Sequence, residues 1–311
     1  MKKVILRSAI VVSVLASSAS ADGLTYGFLS GQYVDGETSN DGVDGSFQSY
    51  TRLEGEAEYV TGAFTFYGQG VLDTADFTAT ENGEEFGSDV AEAGAEYRFS
   101  QFALGVNASR FIPTVNDTSV ALDSLALYGQ YEADNFYMGA AAFTSDVDDI
   151  DFGEDGFAVF GGYDNGAGFE IGGQLTETED VSFYSIYAAY TAANFELEAD
   201  WAREEFDNEN VFDMFSVSGA TYITQNVAII GGVMNLSLES DGTTEWYVGG
   251  RYNVAEDYSL ELAYYDFDAF NGFTGDGVSF TASYEVGKQR RGYQSVAEFY
   301  DTSLAPIFFS F

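Results

Sequence analysis

Hydrophobic and polar residues alternate along much of this chain, and the clearest case is the stretch from Val181 to Arg203. Its second half carries Glu196, Glu198 and Asp200 at every second position, while apolar residues, including Trp201, fill the positions between them. A period of two is that of a β-strand, because successive side chains of a strand point to opposite faces. The first half is rich in aromatic and β-branched residues, and a short turn separates the two halves. The stretch therefore predicts a hairpin with one apolar and one charged face.

The same alternation continues along the chain and predicts sixteen strands. From Leu24 onward a strand, a polar loop, a second strand and a tight turn repeat at intervals of roughly 30 residues, which suits paired spanning strands. The predicted strands span residues 24–34, 47–59, 63–73, 89–99, 102–112, 123–131, 136–145, 157–163, 169–175, 181–190, 194–203, 213–222, 226–236, 245–254, 258–267 and 277–286. The tight turns are predicted at Thr61-Gly62, Ser100-Gln101, Ala133-Asp134, Asn165-Gly166, Ala192-Ala193, Thr224-Gln225 and Glu256-Asp257.

Two-faced strands have two interpretations. In water the apolar face packs on a core, whereas in a membrane it meets lipid and the charged face lines a lumen. Short turns at one end, longer acidic or glycine-rich loops at the other, and aromatic residues beside the turns favour the membrane. We therefore expect an all-β fold, a transmembrane antiparallel β-barrel of about sixteen strands with short periplasmic turns and longer extracellular loops. The expected aromatic girdle comprises Tyr59, Phe99, Phe102, Tyr131, Phe136, Tyr163, Phe169, Tyr190, Phe195, Tyr222, Tyr252 and Tyr258.

A few positions depart from this pattern. Arg110 and Arg203 have the parity of the lipid-facing residues on their strands, so each must reach the rim, or a bulge must shift the register. Strands 157–163 and 226–236 are apolar on both faces, with several small residues. We expect these two strands to contact something inside the lumen or a neighbouring subunit.

The N-terminus has the features of a secretory signal peptide. Lys2, Lys3 and Arg7 form a basic region, Ala9 to Ala16 are mostly apolar, and Ala19-Ser20-Ala21 is an A-x-A cleavage site. An N-terminal membrane anchor is the alternative, but the apolar run is shorter than the roughly 20 residues of a spanning helix. The sequence thus predicts a signal peptide over 1–21, a barrel over 22–287, and a C-terminal tail or displaced last strand over 288–311.

Composition narrows the function. Removing the three basic residues of the leader lowers the net charge from −40 to −43, which excludes nucleic acid and anionic membrane surfaces as partners. The 46% hydrophobic and 17% aromatic content argues against disorder. The chain has no histidine and no cysteine, so Ser-His and Cys-His catalysis and the usual zinc sites are excluded. We expect no enzyme, since the known barrel proteases and lipases use histidine.

Charged residues on the polar face of the strands are the candidate site. Carboxylates lining a tube concentrate cations and repel anions, so they predict a cation-selective pore. The predicted pore-lining acids are Glu54, Glu56, Glu58, Glu92, Glu96, Glu170, Glu196, Glu198, Asp200, Glu261 and Glu285, and the predicted pore-lining basic residues are Arg52, Arg98 and Arg251. The basic residues would supply the positive side of a field across the pore, joined by Arg110 or Arg203 if the register shifts.

A second candidate site is the acidic loop Asp146 to Gly156. Its Asp146, Asp148, Asp149 and Asp151 offer the several carboxylate oxygens that Ca²⁺ prefers, although the spacing is not that of an EF-hand. A solvated acidic loop is the alternative. Bound Ca²⁺ there would bridge to lipopolysaccharide or to a neighbouring subunit, and no other cofactor is expected.

The signal peptide, the opening strand LTYGFLSGQYV, the hairpin pattern, the acidity and the closing strand GVSFTASYEV resemble the Gram-negative general porins, particularly those of alphaproteobacteria. This resemblance covers nearly all of residues 1–287. It implies a homotrimer in the outer membrane whose water-filled barrels pass small hydrophilic solutes. It also implies an inward third loop with acids facing arginines, and a terminal Phe read by the barrel-assembly machinery.

The chain departs from that family in two places. The third loop, Pro113 to Leu122, is too short for the usual constriction. Beyond the last predicted strand lies a tail that ends in Phe311 but contains Pro306, which is awkward inside a strand. The tail also holds Lys288, Arg290 and Arg291, so it would suit an acidic partner or be a plain extension.

A passive cation-selective channel is the leading functional hypothesis. The alternatives are a substrate-specific outer-membrane channel and a non-conducting surface β-barrel or adhesin.

Overall fold

The computed structural model describes residues 23–40, 43–45, 47–77, 84–115, 118–147, 153–206, 210–238, 241–268, 273–287, 292–295 and 297. The predicted signal peptide lies outside these residues. No helix in the described part of the chain is long and apolar enough to cross a membrane.

Strands account for nearly all of the described residues. They are β1 (Leu24–Asn40), β2 (Val43–Gly45), β3 (Phe47–Thr61), β4 (Phe64–Phe77), β5 (Glu84–Phe99), β6 (Phe102–Val115), β7 (Thr118–Ser119), β8 (Leu122–Ala133), β9 (Phe136–Val147), β10 (Gly153–Asp164), β11 (Phe169–Glu177), β12 (Val181–Ala192), β13 (Phe195–Phe206), β14 (Asn210–Tyr222), β15 (Val227–Leu238), β16 (Asp241–Ala255), β17 (Tyr258–Asp268) and β18 (Phe273–Gly287). The short β2 and β7 only extend loops. The other sixteen coincide with the sixteen predicted strands.

The sixteen long strands close into one antiparallel barrel. Each pairs with the strands before and after it in the chain, and β1 pairs with β3 along one edge and with β18 along the other. The closing ladder runs from Tyr26 opposite Gly287 to Asn40 opposite Phe273. Because closure leaves no free sheet edge, every long strand has both edges hydrogen-bonded. The predicted fold class, a barrel with tight turns at one end and longer loops at the other, is confirmed.

Solvent exposure separates the two faces of the wall. On β8, Leu125 and Leu127 are 58% and 63% exposed, whereas Ala126 and Tyr128 between and beside them are 2% and 1% exposed. The exposed side chains point outward and are apolar, while the shielded ones point into the lumen. The same alternation continues through the ladders, since directly opposed residues of neighbouring strands share a face.

The register is continuous except at three bulges, next to Leu24, Phe47 and Asn253. None of them lies on β6 or β13, so Arg110 and Arg203 stay outward, and the alternative of a register shift is wrong. Both reach acidic partners near the loop end. The Arg110 guanidinium donates two hydrogen bonds to Asp123, and Arg203 Nε lies 2.8 Å from a carboxylate oxygen of Glu205.

Aromatic residues beside the turns form a continuous outward band. Ring contacts connect Tyr97 to Phe99, Phe99 to Phe102, and Phe102 to Tyr131, with centroids 5.0–6.1 Å apart. Such a band is expected where a barrel meets the membrane–water interface. Tyr222 does not belong to it, because its hydroxyl points inward and donates a 2.7 Å hydrogen bond to Glu196.

Candidate functional site

The lumen is the candidate site, because the inward faces of all sixteen long strands meet there. Every predicted pore-lining acid lies at an inward position, as do Arg52, Arg98 and Arg251. These residues share a face because a strand repeats every two residues and each ladder keeps its register. They are spread around the wall, however, so the structure brings them together only in smaller groups.

Arg52 is held by acids of its own hairpin. Its Nη1 donates a 2.9 Å hydrogen bond to Asp73 directly across on β4, and its Nε lies 3.4 Å from Glu54. The Asp73 side chain is completely buried, and it also accepts hydrogen bonds from Tyr50 and Ser88. The guanidinium therefore compensates a buried carboxylate.

Arg98 and Arg251 are also bound to two carboxylates each. Arg98 Nη2 lies 2.8 Å from Glu96 and its Nη1 donates to Glu132. Arg251 donates to Glu261 on the adjacent strand at 2.6 Å, and to Glu196 three strands away at 2.7 Å. With these pairings, the three arginines do not form a separate positive side of the pore.

A cavity of about 440 Å³ lies inside the barrel. Six carboxylates line it, and no lysine or arginine of the described chain does so. The carboxylates belong to Glu56, Glu92, Glu170, Glu198, Asp200 and Glu285. The rest of its lining is mainly tyrosine, glutamine and glycine, so the cavity is polar and negatively charged.

Tyrosine hydroxyls connect lumenal side chains of β4, β5, β6 and β8. Tyr67 and Tyr128 approach within 3.3 Å between their hydroxyl oxygens, and the Tyr128 hydroxyl donates to Glu96 at 3.3 Å. Asn107 donates to Tyr67 at 3.2 Å and to Glu92 at 2.6 Å. This network fixes the side chains that surround the cavity.

A second network lies on β9 to β12. The hydroxyl oxygens of Tyr137 and Tyr187 are 3.1 Å apart, and the Tyr187 hydroxyl donates a 3.0 Å hydrogen bond to Glu170. All three residues line the cavity. The sequence analysis did not predict that these tyrosines face the lumen. Their position on the same face of the strand as inward polar residues was the signal that could have shown it.

Several further acids face the lumen without having been predicted. Glu132 and Glu204 each lie just beyond the end of a predicted strand, two positions past an inward residue, so a longer predicted strand would have included them. Asp73 lies inside the predicted strand 63–73, on the same face as the inward residues of that strand. Glu204 is 1% exposed, and neither carboxylate oxygen has a hydrogen-bond partner among the described residues. Its strand partners are Phe183 and Phe212, both buried, so this part of the lumen is apolar.

The predicted Ca²⁺ loop lies mostly outside the described residues. Of its four acids, the described residues include only Asp146. This residue is exposed and lies near the end of β9 that leads into the loop. Within the described chain there is no group of three or more metal-ligating side chains. Calcium binding at this loop stays a prediction.

The third loop follows the wall. The described residues of this connection extend the hairpin, since Thr114 and Val115 on β6 pair with Ser119 and Thr118 on β7. β8 then begins at Leu122 and pairs with β6. The expectation that this connection is too short for the usual constriction agrees with the course of its described residues.

Residues of the C-terminal tail lie inside the barrel instead. Tyr293, Ser295 and Ala297 are 2%, 1% and 1% exposed, and Gly292, Tyr293 and Gln294 line the cavity. Tyr293 packs against Phe160, whose strand was expected from its apolar inner face to contact something in the lumen. Sequence analysis did not predict that the tail itself would be the partner.

The chain matches no protein-family model and no curated protein sequence. Among solved structures, it is similar to CdiB from Acinetobacter baumannii, with a TM-score of 0.54 and 8% identity over 84% of this chain and 60% of CdiB. It is also similar to the CymD monoaromatic hydrocarbon channel, with a TM-score of 0.50 and 10% identity over 88% and 91% of the two chains. A mutant Rh. blastica porin gives a TM-score of 0.40 and 13% identity over 85% and 99%.

The first two likenesses show that the chain has the fold of outer-membrane β-barrel proteins. At such low identities they show the fold alone. Membership of the general porin family stays a prediction.

Proposed function

We propose that this protein is an outer-membrane channel for the passive diffusion of cations and small hydrophilic solutes, and not an enzyme. The observation that carries this proposal is the closed barrel whose lumen holds a cavity lined by six carboxylates and by no basic residue of the described chain. Charge inside a low-dielectric tube is poorly screened, so these carboxylates raise the local cation concentration. The lumenal arginines do not cancel this field, because each is already bound to two other acids.

The direct test is single-channel recording of the purified protein in a planar bilayer, with the reversal potential measured under a salt gradient. We expect a cation-selective reversal potential that weakens at high salt, because salt screens the lumenal field. The double variant Glu198→Gln/Asp200→Asn removes two neighbouring cavity charges and should move the reversal potential toward zero. Glu177→Gln is the matched control, since Glu177 faces outward on β11 and should leave selectivity unchanged.

The outcomes separate the competing functions. Anion selectivity in the wild type would contradict the acidic pore. Insertion of a folded barrel without any conductance would instead favour a non-conducting surface barrel or adhesin. Conductance that one solute class blocks at low concentration would favour a substrate-specific channel.

We further propose that the barrel assembles as a homotrimer in the outer membrane of a Gram-negative cell. The outward face of β3, β4 and β5 supports this, because small residues oppose one another across the ladders there. Gly55 lies opposite Gly70, and Gly70 lies opposite Ala91. Small residues allow neighbouring membrane segments to approach closely. Lipopolysaccharide around the barrel and the barrel-assembly machinery during folding are the other proposed partners.

A further inference from the structure

The last strand and the described part of the C-terminal tail each carry a glycine with a positive φ at the lumen. Gly287 ends that strand with φ +86°, and Gly292 has φ +151°. Both values lie where residues with a Cβ are strained, and a Cβ on Gly287 would collide with the carbonyl oxygen of Thr25. Both glycines also line the lumenal cavity. Gly287 at the end of the wall and Gly292 in the tail therefore both lie at the lumenal cavity.

Tyr293 is held between two aromatic side chains of the wall. Its ring lies 5.7 Å from Tyr128 at an interplanar angle of 25°, and 6.1 Å from Phe160 at 51°. These are the offset-stacked and tilted geometries that aromatic pairs prefer. Tyr128 and Phe160 are themselves buried at inward positions, so Tyr293 completes an apolar cluster on the inner wall.

The next residue, Gln294, is held by hydrogen bonds to its backbone N–H and C=O groups. The Gln174 side chain accepts a 3.1 Å hydrogen bond from the Gln294 amide and donates a 3.0 Å hydrogen bond to the Gln294 carbonyl oxygen. Ser185 donates a further 3.4 Å hydrogen bond to the Gln294 side chain. A side-chain amide that satisfies both backbone groups of one residue is specific for an extended segment in this position.

These contacts place the segment across the lumen. Gln174 and Ser185 lie on β11 and β12, halfway around the ring of long strands from the point where β18 meets β1. Ala297 then packs with Val71, Val90 and Phe111 on β4, β5 and β6, on another part of the wall. The chain thus leaves one side, contacts the opposite side, and reaches a third.

We propose that the tail residues Gly292 to Ser295, together with Ala297, form the constriction of this channel and take the place that an inward loop would occupy. This proposal rests on the channel function proposed above and adds the element that limits the flow. Gly292, Tyr293 and Gln294 line the lumenal cavity together with residues of the wall, so they narrow the space left for a solute there. Since the third loop follows the wall, the tail is the element of the described chain that crosses the lumen.

The test compares a released tail with a locked one. Tyr293→Ala/Gln174→Ala removes the stacked ring and the side-chain amide that holds the Gln294 backbone, and it should raise single-channel conductance at least about twofold, because the narrowest cross-section widens. For the lock, Gln174→Cys/Gln294→Cys is joined with a short, reducible bis-methanethiosulfonate cross-linker. The chain has no native cysteine, so the reagent can react at these two positions only. Conductance should stay at the wild-type level or below while cross-linked, and the fluctuations of the open current should fall.

Tyr293→Phe is the matched control, since it keeps the stacked ring and should conduct like the wild type. Efficient intramolecular cross-linking of the cysteine pair would support the tail position independently of any current. Equal conductance in the released variant, the locked variant and the wild type would overturn the constriction and leave the channel standing. No conductance in any form, with the barrel folded and inserted, would overturn the channel itself.

Discussion

At the scale of single residues, inward aromatic rings lie flat against the wall because glycines on neighbouring strands make room for them. A Cβ on Gly94 would overlap the ring of Tyr67, and one on Gly172 would lie 2.5 Å from a ring carbon of Tyr187. Flat rings keep their hydroxyls within the networks around the cavity and leave the lumen open. The glycine content of the strands thus has a structural purpose that strand propensity alone would not suggest.

The first prediction concerns this packing. Gly94→Ala should lower the free energy of unfolding by about 1–3 kcal/mol, because the added methyl group forces the Tyr67 ring off its position. Gly250→Ala on the outward face of β16 is the control, since its Cβ would meet the Ala228 carbonyl oxygen at an ordinary 3.8 Å and should cost little. Urea unfolding of the detergent-refolded proteins, followed by tryptophan fluorescence, measures both. Equal stability of the two variants would contradict the proposed packing role of Gly94.

A second residue-scale prediction concerns Arg52. Its partner Asp73 is fully buried, so Arg52→Gln leaves that carboxylate without its counterion. We expect a loss of about 3 kcal/mol in the free energy of unfolding, since an uncompensated buried charge is expensive. Arg52→Gln/Asp73→Asn should recover most of the loss because it removes the charge as well. If the double variant is as unstable as the single one, the ion pair is not the cause.

At the scale of elements, the sequence pattern predicted the strands but not the position of the tail inside the lumen. A strand that faces lipid on one side and a polar lumen on the other imposes its alternation on every second residue, as in Glu196 to Asp200. Even Arg110 and Arg203 fit, once Asp123 and Glu205 are seen as their outward partners. Several predicted strands end too early, because alternation weakens at strand ends, and Glu132 and Glu204 lie just beyond such ends.

The position of the tail depends on contacts that local patterns do not encode. Tyr293 reads as an ordinary aromatic residue, and only the closed barrel brings Tyr128 and Phe160 to either side of it. The reciprocal bonds between Gln174 and Gln294 join positions 120 residues apart. The partners of the arginines were likewise hidden, since Arg251 and Glu196 meet across three strands. Alternation predicted which face these residues occupy but not which side chains they meet.

At the scale of the whole molecule, the outward surface is apolar but not uniform. Exposed leucines such as Leu125 and Leu127 cover β8, whereas the face of β3 to β5 carries small residues at directly opposed positions. Gly68 lies opposite Ala57 on one side and Ala93 on the other, next to the row of Gly55, Gly70 and Ala91. A face of small residues suits close contact with a second protein wall, because the two backbones can approach closely there.

The last prediction tests that face as the subunit contact of the proposed homotrimer. Ala93→Trp places a bulky side chain in the middle of the small-residue face and should convert the trimer to monomers, because the two walls can no longer approach. Leu127→Trp is the control, since it makes a similar change on the outward face of β8 and should leave the trimer intact. Analytical ultracentrifugation in mild detergent reports the mass of each variant. A trimeric Ala93→Trp protein would show that the contact lies elsewhere, and a monomeric wild type would show that the barrel works alone. Either variant should keep the single-channel conductance of one barrel, because each pore is formed within one chain.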